Sequence, residues 1–562
     1  MNRRHNIKPL SASLWVYLMP ILLVVPNIAL AFTEYYPLTV KLANIILPWG
    51  FYQLIMGLWK RTGVTILLLF PVSVLCAFQI VLLYLYGENI IAIDMFMNVM
   101  TTNPTEALEL LDNLKLAMVT VFVLYLPPLI IAIIMIRKKK FAPKYLLLFS
   151  RRLGVAGIAI GAIIAGISLF NDSTRLERQI FPYNVYSNIV TAVQRKVEAV
   201  NYPETSRAFS YKAKSLRPDT LPEVYVFVIG ETSRADNWSL FGYDRPTNPR
   251  LSKRRGLVGF PRTLSEINTT HKSVPMLMSN LDARTFGDSV AFTRSVFQAF
   301  AESGFRTVYV SNQSLNHSYI DYYGEEADEA TFLTDKGKVH PDFYLVDRLQ
   351  QVLADTVHRK IFVVLHSYGS HFEYNKRYPR SMAHFRPDAK SEAGKDNRPQ
   401  LVNAYDNTIR YTDMVIDSII GVLAERNVAS ALIYTSDHGE DIFDDSRNRF
   451  LHASPNPTYW QLHVPLVVWM SPRLQQLHPD FAAAAAHNAP LDVSSTRSVF
   501  HTLLDLGGIS SPYYRPEQSL VSGSYRPQEH IYLNDYNEAL KLRESGLREP
   551  DFEQLHRTGI TY

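Results

Sequence analysis

Val224-Tyr225-Val226-Phe227-Val228-Ile229-Gly230, followed at once by Glu231 and Thr232, is the stretch on which the reading of this chain turns. An apolar run without polar alternation is what a strand covered on both faces requires, and such strands belong to parallel sheets flanked by helices. Four more runs, TVYVS (307–311), IFVVLH (361–366), SALIYTS (430–436) and VPLVVWM (464–470), alternate with longer helical patterns. Residues 222–562 are therefore expected to form an α/β domain with a mostly parallel central sheet. Ligands of such sheets bind beyond the carboxyl ends of the strands. The residues there are Glu231 and Thr232, Asn312 and Gln313, His366 and His371, then Asp437, His438 and Glu440.

Singly, each has an ordinary explanation: a helix cap for Glu231, a hydrogen-bonded turn for the Asp-His-Gly-Glu string. Together, two acidic groups and an imidazole at adjacent strand ends would desolvate at high cost without a cation between them. Oxygen and nitrogen ligands that include a histidine favour zinc over magnesium, with manganese the second choice. Cys76 is the only cysteine, which excludes an internal disulfide and any cysteine-based zinc site. A nucleophile facing such a metal belongs at a helix N-terminus, where backbone N–H groups can receive a phosphate. Asn268-Thr269-Thr270-His271-Lys272-Ser273-Val274-Pro275-Met276-Leu277 supplies hydroxyls, a proline in the first turns and then apolar residues.

Working outward to the N-terminal side, the composition changes. Residues 1–170 hold 14 Lys and Arg against 6 Asp and Glu, while the rest hold 43 against 46 of the totals of 57 and 52. The basic excess lies wholly in an otherwise apolar segment, so a nucleic-acid-binding surface is excluded as the main theme. Five stretches are long enough to cross a hydrocarbon core of about 30 Å: Leu14 to Phe32, Leu38 to Trp59, Val64 to Tyr86, Leu116 to Ile136 and Leu153 to Phe170. With the N-terminus inside, 12 basic residues among Arg3, Arg4, Lys8, Lys60, Arg61, Arg137 to Lys140, Lys144, Arg151 and Arg152 face the cytoplasm, as the positive-inside rule asks. Residues 1–170 thus read as a five-span membrane domain and residues 171–221 as a bridging helix and linker. In the bridge Val185, Ile189, Val193 and Val197 suggest an amphipathic helix whose apolar face meets either the membrane surface or the chain's own soluble domain. Ser210 to Pro222 reads as the linker. In the outer loop Glu88 and Asp94 are expected to be solvated, whereas Asn98, Thr102 and Glu106 fall on one helical face.

At this point the chain resembles the phosphoethanolamine transferases of the alkaline phosphatase and sulfatase superfamily, which include the enzymes of polymyxin resistance that modify lipid A in lipopolysaccharide. V-I-G-E-T-S-R-A-D, T-T-H-K-S-V-P and S-D-H-G-E carry the resemblance. It implies Thr270 as nucleophile and metal ligand, with Glu231, Asp437 and His438 completing the metal set. It implies that His371 and His452 bind the substrate phosphate or a second metal, and that Asn98, Thr102 and Glu106 contact the lipid headgroup. Where relatives use an Asn and a Lys to hold the transferred group, the nearest residues here are Gln313 and His317. Where many relatives carry a disulfide bracketing the nucleophile, this chain has Glu266 and Met276, so support for that loop is expected from packing.

The reading that follows is a transferase, multi-pass in a bacterial inner membrane with its catalytic domain in the periplasm. It would move phosphoethanolamine from phosphatidylethanolamine to lipid A, a core sugar or another glycan through a covalent phosphothreonine. A phosphoglycerol transferase of the lipoteichoic acid synthase type is the alternative on the same fold. A sulfatase is disfavoured because Ser273-Val274-Pro275-Met276-Leu277 lacks the arginine of the C/S-x-P-x-R motif. A transporter is disfavoured because no charge sits at the centre of a span.

Overall fold

The computed structural model describes residues 12–101, 108, 114–171, 174–334, 340–389 and 394–562. Two compact units make it up: Met1–Phe96 with Leu114–Ala192, and Met97–Asn113 with Val193–Tyr562.

In the first unit, Ala12–Thr33, Leu38–Leu58, Lys115–Arg137 and Lys144–Ser168 are long and apolar enough to cross a membrane. A fifth span arises if Thr62–Leu68 and Phe70–Tyr86, bent by 51°, are counted together. The sequence suggested an unbroken helix here. Pro71, which lacks an N–H and crowds the carbonyl four residues back, accounts for the break. Leu38–Leu58 and Lys144–Ser168 pack so tightly that a Cβ on Gly154 would lie 2.5 Å from the Leu54 nitrogen. Polar side chains bind this unit from inside: Asn27 Nδ2 donates to the Phe181 carbonyl at 2.7 Å and Gln53 Nε2 to Ser150 Oγ at 2.6 Å.

Glu88 and Asp94 are not solvated, as expected from the sequence, but buried. Their loop folds back on the bundle, with Gln79 bonded to the Asn89 carbonyl and the Ile91 N–H, and Glu34 accepting from the Asn89 N–H. Asn98 lies on the helix Ile93–Thr101; Thr102 and Glu106 are outside the described residues.

The bridging helix is present as Tyr183–Thr205, but of the valine stripe only Val185 is buried. Ile189, Val193 and Val197 are 37, 47 and 54% exposed, while Val185, Asn188, Ala192, Ala199 and Tyr202 are buried. Small residues and asparagines let the backbone approach its neighbours: Asn184 and Asn188 both donate to the Ile91 carbonyl. Ser210 to Pro222 is no loose linker either. Lys214–Ser215 pairs with Ile509–Ser510, Tyr211 is fully buried, and Arg217 forms an ion pair with Glu223 at 2.6 Å.

The second unit is built on a seven-stranded sheet in the order Leu257–Gly259, Leu466–Met470, Ala429–Ser436, Glu223–Gly230, Lys360–His366, Arg306–Ser311, Glu329–Phe332. All five strands expected from the sequence are in it, and only Leu466–Met470 runs antiparallel to its two neighbours. The central strand Glu223–Gly230 is buried along its whole length. Its odd-numbered side chains Tyr225, Phe227 and Ile229 join a core with Phe297, Phe300, Val499 and Phe500. The even-numbered ones face the other way, as period-two geometry demands, on the side where Phe343–Leu353 and Arg398–Glu425 pack.

Candidate functional site

Glu231 and Thr232 leave the central strand under steric pressure. Thr232 adopts φ 59°, a conformation a β-branched residue takes only when its surroundings enforce it. Its N–H donates to Asp437 Oδ1 at 3.1 Å, and its hydroxyl to Glu231 Oε1 at 2.7 Å. Gly369 presses on the same turn, where a Cβ would lie 2.5 Å from the Glu231 carbonyl oxygen.

From the neighbouring strand Ala429–Ser436 come Asp437 and His438, both with no exposed surface. Asp437 Oδ1 is held by the N–H groups of Thr232 and His438, while its buried Oδ2 has no hydrogen-bond partner among the described residues. His438 Nδ1 lies 2.9 Å from the Gly439 carbonyl. A carbonyl can only accept, so Nδ1 carries the proton and Nε2 presents its lone pair. Burial pulls His438 down to about 4 against the opposing pull of Asp437, which keeps the imidazole neutral at neutral pH.

Thr270 begins the helix Thr270–Leu277. Ser265 and Ser273, one before and one after it, both donate to the Asp437 carbonyl at 2.7 Å and so lay this loop against the strand end. Thr270 Oγ1 comes within 3.0 Å of His438 Nε2 and 3.4 Å of Glu231 Oε1. His438 Nε2 is 3.6 Å from Glu231 Oε1 and 3.2 Å from Asp437 Oδ2. Four ligands placed tetrahedrally about 2.0 to 2.2 Å from one zinc stand about 3.3 to 3.6 Å apart. Thr270, Glu231 and His438 thus lie near ligand-shell spacing from one another, as do His438 and Asp437, whose Oδ2 is an atom a cation would satisfy.

His452 also joins this cluster: Glu231, His438 and His452 offer ligand atoms that all lie within 4.8 Å of one another. His452 Nδ1 is 3.0 Å from Glu440 Oε1, and burial pushes the Glu440 carboxyl up to about 8. His371 is more distant, its ring centroid 6.2 Å from that of His452. His366 sits in the core against Tyr309, where burial drops it to about 4 against the opposing pull of Asp437. Gln313 does reach it, donating to the Ser367 carbonyl at 2.8 Å and to Glu231 Oε2 at 3.4 Å. His317 is exposed, and its charge acts on Asp321 and Glu325. Its left-handed backbone, φ 53°, is set by Asp321, which accepts the N–H groups of both Asn316 and His317.

Packing alone does not support the nucleophile loop. Met276 is fully buried, but Glu266 is an ion-pair anchor: it meets Arg497 Nη2 at 2.5 Å and accepts from Thr496 Oγ1 at 2.9 Å and the Ala283 N–H at 3.1 Å. Sequence reasoning placed Glu440 at a strand end beside Asp437 and His438 but gave it no role. It also missed Asn268 and Gln461, whose amides carry no motif.

Comparison with known proteins agrees with this architecture. The sulfatase family model matches residues 223–509, and a model described as phosphoethanolamine transferase EptA/EptB matches residues 51–197. Kdo(2)-lipid A phosphoethanolamine 7''-transferase of Escherichia coli (strain K12) is 28% identical over 323 residues, covering 55% of each chain, so the match spans about half the length of that relative. The fold of lipooligosaccharide phosphoethanolamine transferase A from Neisseria meningitidis superposes with TM-score 0.71 at 22% identity, over 92% of this chain and 99% of that one. The zinc complex of the periplasmic domain of EptC from Escherichia coli shares the fold with TM-score 0.54 at 24% identity, over 60% of this chain and 97% of that one. The first model covers half of the chain: the chain belongs to the sulfatase family, and residues 51–197 are similar to the phosphoethanolamine transferase EptA/EptB model.

Proposed function

We propose that this protein transfers phosphoethanolamine from phosphatidylethanolamine to lipid A or a lipopolysaccharide core sugar at the periplasmic face of a bacterial inner membrane. The observation that carries the reading is the Thr270 hydroxyl held 3.0 Å from a bare His438 nitrogen beside two buried carboxylates. The EptA/EptB match of the membrane helices favours it over phosphoglycerol transfer.

Glu231, Thr270, Asp437 and His438 would hold zinc, the metal of the EptC complex, with manganese the second choice. Bound there, the metal supplies a lowered hydroxyl pKa and charge for the phosphoryl oxygens. Thr270 Oγ attacks phosphorus in line, and the bond from phosphorus to the diacylglycerol oxygen breaks. Diacylglycerol departs as the alcohol, having gained the proton that Thr270 lost, and a phosphothreonine remains. An acceptor oxygen then attacks the same phosphorus and restores the Thr270 hydroxyl. His371 and His452 would donate to the phosphate, and Gln313, 3.4 Å from Glu231 Oε2, would steady that carboxylate. Asn98, Thr102 and Glu106 would offer hydrogen bonds and one anion to the ammonium end of the donor, with His317 the nearest counterpart of the Lys by which relatives hold the transferred group.

Purified protein in detergent, given fluorescent phosphatidylethanolamine, should release fluorescent diacylglycerol, and mass spectrometry without acceptor should find phosphoethanolamine on Thr270. Mass spectra of lipid A and core oligosaccharide from cells with and without the protein identify the acceptor. Thr270→Ala should abolish turnover while costing the fold no more than about 1 kcal/mol. Wild-type turnover by that variant would assign the nucleophile elsewhere.

A further inference from the structure

Gln461 touches the segments that carry Thr270, His438 and His452 and belongs to none of the motifs. It lies in the short helix Tyr459–Leu462 with no exposed surface. Its Oε1 accepts from Asn268 Nδ2 at 2.6 Å, two residues before Thr270. Its Nε2 donates to Asp441 Oδ2 at 2.6 Å, to Ser454 Oγ at 3.1 Å and to the Leu451 carbonyl at 3.3 Å. Its own carbonyl accepts from the Gly439 N–H at 2.8 Å, next to His438. Asn268 completes the link by donating to the Ser454 carbonyl at 2.8 Å and accepting from Tyr532 at 3.0 Å.

The need for such a hub is written in the backbone around His452. Leu451 and Ala453, its two neighbours, both adopt left-handed conformations, φ 69° and 62°. Non-glycine residues persist there only when the structure around them over-determines the turn, and such turns gather at functional sites. Gln461 and Asn268 hold this turn from both ends, by the Leu451 carbonyl and by both the hydroxyl and carbonyl of Ser454.

Resting on the transfer reaction read above, we propose that Gln461, acting with Asn268, is a positioning residue that fixes His452 against Thr270. Neither side chain touches the reacting atoms. Their amides set the separation between the nucleophile loop and the His452 turn, so loss of either misaligns the phosphoryl group while the metal ligands stay in place.

The test is a double-mutant cycle of Gln461→Ala and Asn268→Ala in the full chain, read by donor turnover and zinc content. Each variant should lower kcat by about 10- to 100-fold, the effect of a misplacement of about 1 Å, with KM for phosphatidylethanolamine changed less than about 3-fold and zinc retained. The double variant should be no worse than the poorer single one, as residues acting as a unit are non-additive. Multiplying effects, lost zinc or unchanged kcat would overturn the proposal. Asn268→Ser and Gln461→Met carry the same cycle if an alanine variant fails to fold. If the wild type itself does not cleave the donor, the function proposed above fails by itself. The cobalt-substituted protein then decides the positioning role: histidine modification by diethyl pyrocarbonate should reach His452 faster in Gln461→Ala with an unaltered cobalt spectrum, and equal rates would overturn it.

Discussion

In the membrane unit Leu38–Leu58 and Lys144–Ser168 meet through glycine, whereas in the catalytic unit the sheet is buried under phenylalanine and tyrosine. Helices in lipid gain little by hiding apolar side chains, since the tails outside are equally apolar, so they associate by close backbone approach and internal hydrogen bonds. Phe122 and Val123 of Lys115–Arg137 accordingly stay 52 and 67% exposed. The catalytic unit is surrounded by water and excludes it, spending its polar side chains at strand ends where they converge on one point. The two regions should therefore break in different ways. The largest effect is expected at the convergence: Glu231→Gln should lose metal and cut turnover by more than about 100-fold, because even partners outside a ligand shell are worth 10- to 100-fold. The thermal midpoint should move far less than the activity. Metal analysis beside the turnover assay checks this, and full zinc content with wild-type turnover would remove Glu231 from the site.

That contrast also explains what could be read beforehand. The strands were legible because unbroken apolar runs require two covered faces, and Glu231, Asp437 and His438 stood out because acidic groups and an imidazole gather at adjacent strand ends, although each alone has an ordinary use. In the bridging helix the sequence left two uses for the valine face: burial went to Ala192, Ala199 and the asparagines, whose size or hydrogen bonds permit close approach, while Val193 and Val197 stay exposed, as the membrane-surface alternative requires. Glu88 and Asp94 misled, since a loop that folds back and finds polar partners inside looks on paper like one that meets water. Amides such as Gln461 have no periodicity and no charge, so only their three-dimensional partners reveal them.

Next in size is the ion pair that anchors the nucleophile loop. Arg497→Met leaves the Glu266 carboxylate buried among Thr496 and the Ala283 N–H with its countercharge gone. Breaking one side of a buried pair costs about 3–5 kcal/mol, while replacing both sides by apolar groups is often neutral. Thermal unfolding of Arg497→Met and of Glu266→Met with Arg497→Met should show the single variant as the less stable. The reverse order would mean that the pair contributes through something other than charge. In the membrane unit the corresponding change is Gly154→Val, where the added atoms meet the Leu54 backbone. Overpacking of this kind costs about 1–3 kcal/mol, to be read as a lowered midpoint in detergent, whereas valine at the exposed Ile163 should be neutral.

The smallest expected effect is a pH dependence confined to the catalytic unit. His463 Nδ1 lies 2.8 Å from Asp236 Oδ2 and its Nε2 lies 2.8 Å from the Pro261 carbonyl. Two acceptors, one on each ring nitrogen, favour the imidazolium. Burial pulls His463 down, but Asp236 outweighs it, and the folded-state value is raised above the ordinary one. A raised value means the folded chain binds the proton more tightly than the unfolded chain, so this stabilisation is complete below about pH 6.5, the unfolded value. It is lost as pH rises through the folded value. Glu440, pushed up to about 8, and Asp441, pushed up to about 7, tilt stability in the same direction, so the histidine must be isolated by difference. The midpoint of wild type minus that of His463→Gln should be greatest near pH 6 and shrink steadily above it. A difference that is flat, or that grows with pH, would show that the imidazole is held neutral and that Asp236 serves Tyr459, which donates to its other oxygen at 3.0 Å, more than it serves His463.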